Sequence, residues 1–197
     1  IIIYKRLFRD IIIMLKPQDV VLLLKILSSP KEHSKWSQGK LSVHLCISIS
    51  EINASLKRLK LAGLIRKIND TSKSPGKPPS PLYLPVNKAC EEFLISGVKY
   101  FFPIALGEYT RGMVTSYAAD VFEKQIILGQ DPVPVWPFAE GNQRGLALKP
   151  LYPSVPKSLA QYPDQSFYDL LALVYAIRQG RSRERALAVK ILRKKLK

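Results

Sequence analysis

Residues Ser48 to Gly63 specify a helix at both ends and along one face, and this constrains everything around them. Ser48 and Glu51 have the spacing of a capping box, a hydroxyl for the amide three residues on and a carboxylate to return the bond. Ile52, Leu56 and Leu59 recur at intervals of four and three, the signature of one apolar stripe. Ala62-Gly63 ends the helix, because glycine accepts the left-handed backbone that follows a last turn. A single helix with one buried stripe needs other elements to cover that stripe.

The flanking sequence supplies them. Lys16 to Leu27 reads as a helix, with Pro17 suited to the first turn and Asp19 near the positive end of the dipole. Ser28-Ser29-Pro30 stops it. Residues 31–40 are polar, with Trp36 as the one large anchor, and a short helix starting at Ser37 or Gly39 runs to Leu45. Cys46-Ile47 then forms a tight turn. After Gly63, Leu64 to Ile68 reads as a strand whose partner is Pro81 to Pro85. The loop between them, Asn69 to Ser80, holds four prolines or glycines among twelve residues. A further helix is predicted over Val86–Ser96, closed by Gly97.

Helix, short helix, tight turn, capped helix, strand, basic loop and strand follow one another in that order. In it the stretch ISISEINASLKRLKLAGLI, Ile47 to Ile65, resembles the recognition helix and glycine turn of the winged helix-turn-helix transcription regulators, the MarR-like branch in particular. The resemblance covers about residues 16–96. It implies sequence-specific binding of double-stranded DNA and a role as a transcriptional regulator, acting as a homodimer. The alternative is a winged-helix protein-interaction module, such as an antitoxin-like or assembly subunit whose charge holds an acidic protein.

With Ile52, Leu56 and Leu59 buried, the opposite side of the helix carries Ser50, Asn53, Ala54, Lys57 and Arg58. Asn53 suits a bidentate bond to adenine, and Lys57 and Arg58 reach guanine or phosphate, so these three are the candidate base contacts. Ser50, at the helix start, suits a phosphate, as do the hairpin residues Arg66, Lys67, Lys73 and Lys77.

The charge supports that placement. The chain of 197 residues carries 31 Lys or Arg against 15 Asp or Glu, a net of +16. Residues 1–99 hold +10 of this, residues 100–177 hold −2, and residues 178–197 hold +8. Such an excess selects anionic partners and leaves the fold undecided. Arg181, Arg183 and Arg185 in the last block form a secondary basic patch. They either widen the DNA contact or hold an acidic partner.

The remaining sequence is less specific. Residues 1–15 alternate apolar triplets with basic residues and read as an arm packed on the body or on a second subunit, with a basic amphipathic membrane anchor as the alternative. Residues 97–163 are a neutral segment rich in Pro, Gly and aromatics, with one helix near Ser116–Leu128. Gly107 to Met113 and Trp136 to Gly145 mix aromatics, Arg and Gly, so the region 107–145 is a candidate surface for an effector or partner protein. Residues 164–197 form a basic pair of helices, Asp164–Gln179 and Ser182–Leu196, joined at Gly180. Leu170, Leu171, Val174 and Ile177 line one face of the first, and Ser182 caps the second. The expected fold is mainly α with a small β wing: a winged helix-turn-helix followed by a helical, partly irregular C-terminal extension.

Other functions find little support. No apolar run approaches the roughly 18 residues that span a bilayer, and no leader sequence precedes the chain, so no membrane and a cytoplasmic location are expected. Cys46 and Cys90 are expected reduced and buried. His33, His44, Cys46 and Cys90 do not have zinc spacing, so no metal or other cofactor is expected. Glu108, Asp120, Glu123, Asp131 and Glu140 form no catalytic pair, and no phosphate loop or nucleophile elbow is present. An enzyme is not expected.

Overall fold

The computed structural model describes residues 14–29, 36–69, 81–122, 125, 126 and 128–197. The fold is mixed α/β, mainly helical, with two small sheets. Helix α1 (Pro17–Ser28) starts at Pro17, and the Asp19 carboxylate accepts the Lys16 amide at 2.8 Å. Every residue from Val20 to Leu27 is buried, so α1 is an interior helix. Helix α2 (Gln38–Leu45) is capped by Ser37, whose Oγ accepts the Lys40 amide. Cys46 closes α2 in the left-handed region at φ 51°. The Ser42 hydroxyl donates to the Ile47 carbonyl at 2.6 Å and fixes that turn.

Helix α3 (Ile49–Leu61) follows, with Ser48 accepting the Glu51 amide. Ile52, Leu56 and Leu59 are buried as their spacing requires. The helix ends in a Schellman arrangement: the Gly63 amide donates to Lys60 and the Leu64 amide to Leu59, with Gly63 at φ 72°. Strands β1 (Ile65–Asn69) and β2 (Pro81–Pro85) pair antiparallel, with Arg66 opposite Leu84 and Lys67 opposite Tyr83.

The next helix outruns its predicted stop. Helix α4 (Asn87–Glu92) continues through a π-helical turn, Phe93–Gly97, into α5 (Val98–Phe101). Gly97 keeps helical backbone (φ −89°, ψ −47°), and the Phe93 ring packs over it where a Cβ would stand. The glycine is used for close approach here and not as a terminator.

The neutral segment departs most from expectation. The helix predicted near Ser116–Leu128 is replaced by two 3₁₀ turns, Ser116–Ala118 and Asp120–Phe122, with Ser116 in the left-handed region at φ 55°. Around them stand three strands, β3 (Leu106–Val114), β4 (Pro134–Pro137) and β5 (Gln143–Leu148), each paired with both others. β3 runs antiparallel to both, and β4 and β5 are parallel. So tight a closure requires Gly112 and Gly145, since a Cβ on either would overlap a backbone carbonyl, that of Trp136 or Val133.

Three helices complete the chain: α6 (Val155–Gln161), α7 (Gln165–Gln179) and α8 (Ser182–Lys195). Asp164 caps α7, its Oδ1 accepting the Phe167 amide at 3.0 Å. Arg181, and not Ser182, is the cap residue of α8; its amide donates to Glu184 at 2.8 Å. Leu170 to Ile177 are all buried, so α7 has no solvent face over two turns, in place of the single stripe expected. Tyr168 and Tyr175, seven residues apart, fasten it to the three-stranded unit. Tyr168 donates to the Val114 carbonyl at 2.8 Å, and both rings meet Trp136 edge-on. One apolar cluster extends from Val20 to Leu196 and includes residues of every helix.

Candidate nucleic-acid interface

The outward side of α3 is built by subtraction. Ile52, Ser55, Leu56 and Leu59 face the core. Ser50, Lys57 and Lys60 are exposed, and Asn53 and Ala54 are half-buried. Asn53 and Lys57 are four apart and share a face, so an amide and an ammonium project side by side one helical turn apart. Two apolar residues that the sequence reading did not single out lie on the same row, Ile49 (55% exposed) and Leu61 (62% exposed). The sequence signal was available: stepping back four residues from Asn53 reaches Ile49, and stepping forward four from Lys57 reaches Leu61.

Arg58 corrects the expectation of a third base contact. Its guanidinium is turned inward, with Nε 2.7 Å from Asp19 Oδ2 and Nη2 2.7 Å from Asp19 Oδ1. The same Nη2 donates to Glu51 at 2.5 Å and to Ser55 Oγ at 3.1 Å. Asp19 is fully buried, and only 11% of the Arg58 side chain is exposed. These bonds raise the Arg58 pKa, Asp19 contributing most, and the Arg58 bond in turn lowers that of Glu51. Glu51 therefore serves this network, where it also accepts from Gln18 at 3.1 Å, in place of returning the capping-box bond. Arg58 locks α3 to the first turn of α1.

The hairpin places Arg66 and Lys67 in solvent on successive positions, hence on opposite faces of the two-stranded sheet. Lys73 and Lys77 lie outside the described residues. So do His33, Glu123 and the arm through residue 13.

The patch at Arg181, Arg183 and Arg185 divides. Arg181 and Arg183 are exposed, Arg181 reaching Asp131 at 3.9 Å. Arg185 is half-buried and donates to the carbonyls of Ile177 and Gly180, both at 3.2 Å, which closes the turn between α7 and α8. Its role is structural.

The two runs in 107–145 do come together, Arg111 standing opposite Arg144 across β3 and β5. Trp136 is fully buried, so it is core and not a surface anchor. Among the described residues Tyr109 and Leu128 are the exposed large apolar side chains of this region, and Tyr100, Phe101 and Leu106 are exposed just before it.

Behind α2 the α1–α2 region is tied to the last quarter of the chain. Lys25, 3% exposed, binds Asp164 at 2.7 Å and lies over the rings of Trp36 and Phe167. Burial acts to raise the Asp164 pKa, but the Lys25 ammonium, the Phe167 amide and the Ser28 hydroxyl outweigh it and hold the carboxyl below its ordinary value. His44 meets Trp36 edge-on and lies tilted against Tyr162, and burial, with Lys25 nearby, lowers its pKa. Ser154 and Ser158 donate to the carbonyls of Leu45 and His44 at 2.6 and 2.7 Å, pinning α2 to α6.

Both cysteines are free, Cys90 buried and Cys46 only half-buried. Among the described residues no group of three or more His, Cys, Asp or Glu is placed to hold a metal ion, and no helix is long and apolar enough to cross a membrane. No family model, no curated protein and no solved structure matches this chain.

Proposed function

We propose that the protein is a winged helix-turn-helix transcriptional regulator of MarR-like type that binds double-stranded DNA sequence-specifically through α3. The observation that carries this reading is the outward row of α3. Ser50, Asn53 and Lys57 face solvent beside apolar Ile49, on a helix locked in place by Arg58 and preceded by a tight turn. A helix entering the major groove needs such a mixture: an amide for adenine, a cation for guanine or phosphate, and a methyl-bearing side chain for thymine. Arg66 and Lys67 on the following hairpin supply charge without base preference. A cytoplasmic site of action agrees with this role.

A homodimer is part of the proposal, and the exposed Tyr100, Phe101, Leu106 and Tyr109 give apolar surface of the kind an association covers. The second reading, a protein-interaction module, draws on two exposed apolar residues, Val43 on α2 (54%) and Ile49 at the start of α3 (55%). Selection of duplexes from a random pool at ~150 mM salt, a concentration at which non-specific binding is weak, separates the two. The first reading expects an enriched motif with two-fold symmetry. A pool that stays random overturns it and favours the second.

A further inference from the structure

The +8 of the last twenty residues has a location. The end of α8 is pinned against α4: Arg193 binds Glu91 at 3.0 Å, and Asn87 donates to the Leu196 carbonyl at 3.2 Å. This sets the last turn beside the root of the hairpin, where a groove of about 260 Å³ is lined by Arg66, Pro85, Asn87, Lys195 and Lys197 among others, with three cations and no carboxylate. Lys190 and Lys194, four apart on α8, share a face, Lys197 lies two residues beyond its end, and all three are exposed. Lys190 and Lys194 also edge a second groove of about 520 Å³ between α7 and α8. Lys195 borders both grooves, with its ammonium held by Asp169 at 2.8 Å. One carboxylate not engaged with Lys195, Asp120, also lines the larger groove.

We infer that Lys190 and Lys194 of α8 and Lys197 just beyond it, continued by Arg66 of the hairpin, form a second phosphate-backbone contact, to duplex flanking the bases that α3 reads. This rests on the DNA-binding reading above. From Lys190 to Lys194 the helix rises about 6 Å, which matches about two phosphates of one strand. The composition selects the partner. Protein interfaces are depleted of lysine at their centres and anchored by aromatics, whereas α8 carries no aromatic residue and presents lysines on this face. Lysine suits phosphate as a point charge that releases counterions, and no base discrimination follows from it.

The test uses the full chain and a duplex of about 40 base pairs carrying the selected site, with binding measured from 50 to 200 mM salt. Since each phosphate contact contributes about 0.9 to the slope of log K against log salt, Lys190→Gln/Lys194→Gln/Lys197→Gln lowers it by about 2 to 3. Arg66→Gln lowers it by about 1 more. The ranking of site sequences stays unchanged, and Lys149→Gln, an exposed lysine just after β5, leaves the slope unaltered. Thermal unfolding of each variant at the wild-type temperature shows that the change is one of contact. An unaltered slope with intact sequence selection overturns this inference alone. So does a duplex trimmed to the selected site that keeps the full effect of the triple variant. Loss of polyglutamate binding in the triple variant, with duplex binding retained, assigns the stripe to an acidic polypeptide and also overturns it. Failure of the wild-type chain to bind any duplex overturns the parent reading as well.

Discussion

Arg58 and Asp19 form a two-point ion pair, both bonds 2.7 Å long, in which the carboxylate is wholly buried. Removing one partner of such a pair leaves a charge without compensation, at a cost of about 3 to 5 kcal/mol. Asp19→Asn is therefore expected to lose an amount of that order in denaturant unfolding. Asp19→Asn combined with Arg58→Met recovers a large part of it, because no unpaired charge is left buried and Glu51, which loses Arg58, is partly open to solvent. A loss below about 1 kcal/mol, the size found for surface pairs, would show that the network is solvated.

The same pair separates structural from reading roles on α3. In duplexes of the selected sequence, Asn53→Ala is expected to erase about 1 to 3 kcal/mol of discrimination at one base pair. Lys57→Ala weakens binding and relaxes preference at a neighbouring position. Arg58→Met lowers stability and leaves the ranking of sequences intact, as competition binding below the melting range will show. A changed ranking in Arg58→Met would return Arg58 to the base contacts.

What the sequence disclosed and what it hid follow the range of the interactions. Periodicity, caps and the glycine turn are local, and they place α1, α2, α3, the hairpin, α7 and α8 within a residue or two. The inward turn of Arg58 depends on Asp19, 39 residues away, and no local pattern announces it. The strands β3 to β5 were hidden by their own chemistry. Pro134 and Pro137 bound β4, and Gly112 and Gly145 interrupt β3 and β5, all residues that ordinarily argue against a strand. They are tolerated because glycine alone allows the three backbones to close. Of the candidate site, Ser50, Asn53 and Lys57 were legible from the apolar stripe opposite them, while Ile49 was passed over because an apolar residue reads as core.

Lys25 and Asp164 give the fold an acid-sensitive tie. The folded Asp164 carboxyl lies below its ordinary value, so its contribution to stability is complete above the unfolded pKa of about 3.9 and is lost as pH falls from there toward the folded value. Glu51, lowered by Arg58, has the same sign. Unfolding free energy measured between pH 6 and 2 is expected to decline through that lower window. Asp164→Asn removes part of the decline, and at neutral pH it costs about 3 to 5 kcal/mol because the buried Lys25 ammonium loses its partner. An unchanged pH profile in the variant would contradict this.

The buried run of α7 predicts equal sensitivity on every side. Leu170→Ala, Leu171→Ala and Leu173→Ala point in three directions from the helix axis, and each is expected to cost about 2 to 5 kcal/mol. Ala172→Leu costs about 1 to 3 kcal/mol by overpacking. Chemical denaturation of the four variants checks this. A solvent face would appear as one variant with an effect under about 0.5 kcal/mol.

The two thiols should differ sharply. Burial pushes the Cys90 thiol up to about 11, and its Sγ lies 3.1 Å from the Leu64 carbonyl. A maleimide at pH 8 is expected to label one site promptly in the folded protein, and Cys46→Ser abolishes that labelling. Cys90 reacts only at the rate of unfolding. Prompt labelling of Cys90 would place the base of the hairpin in an open state.

The contact between Lys25 and Asp164 bridges 139 residues. Helix α1, buried from Val20 to Leu27, has much of its cover in α7, which is synthesised about 140 residues after it. During synthesis α1 therefore emerges ahead of α7 and waits, a bare apolar helix, for as long as it takes to translate about 140 residues, about 7 to 28 s at about 5 to 20 residues per second. Until α7 docks, α1 is a natural substrate for a holding chaperone. Truncations that stop before Asp164 should be recovered as aggregates and not as a working DNA-binding fragment.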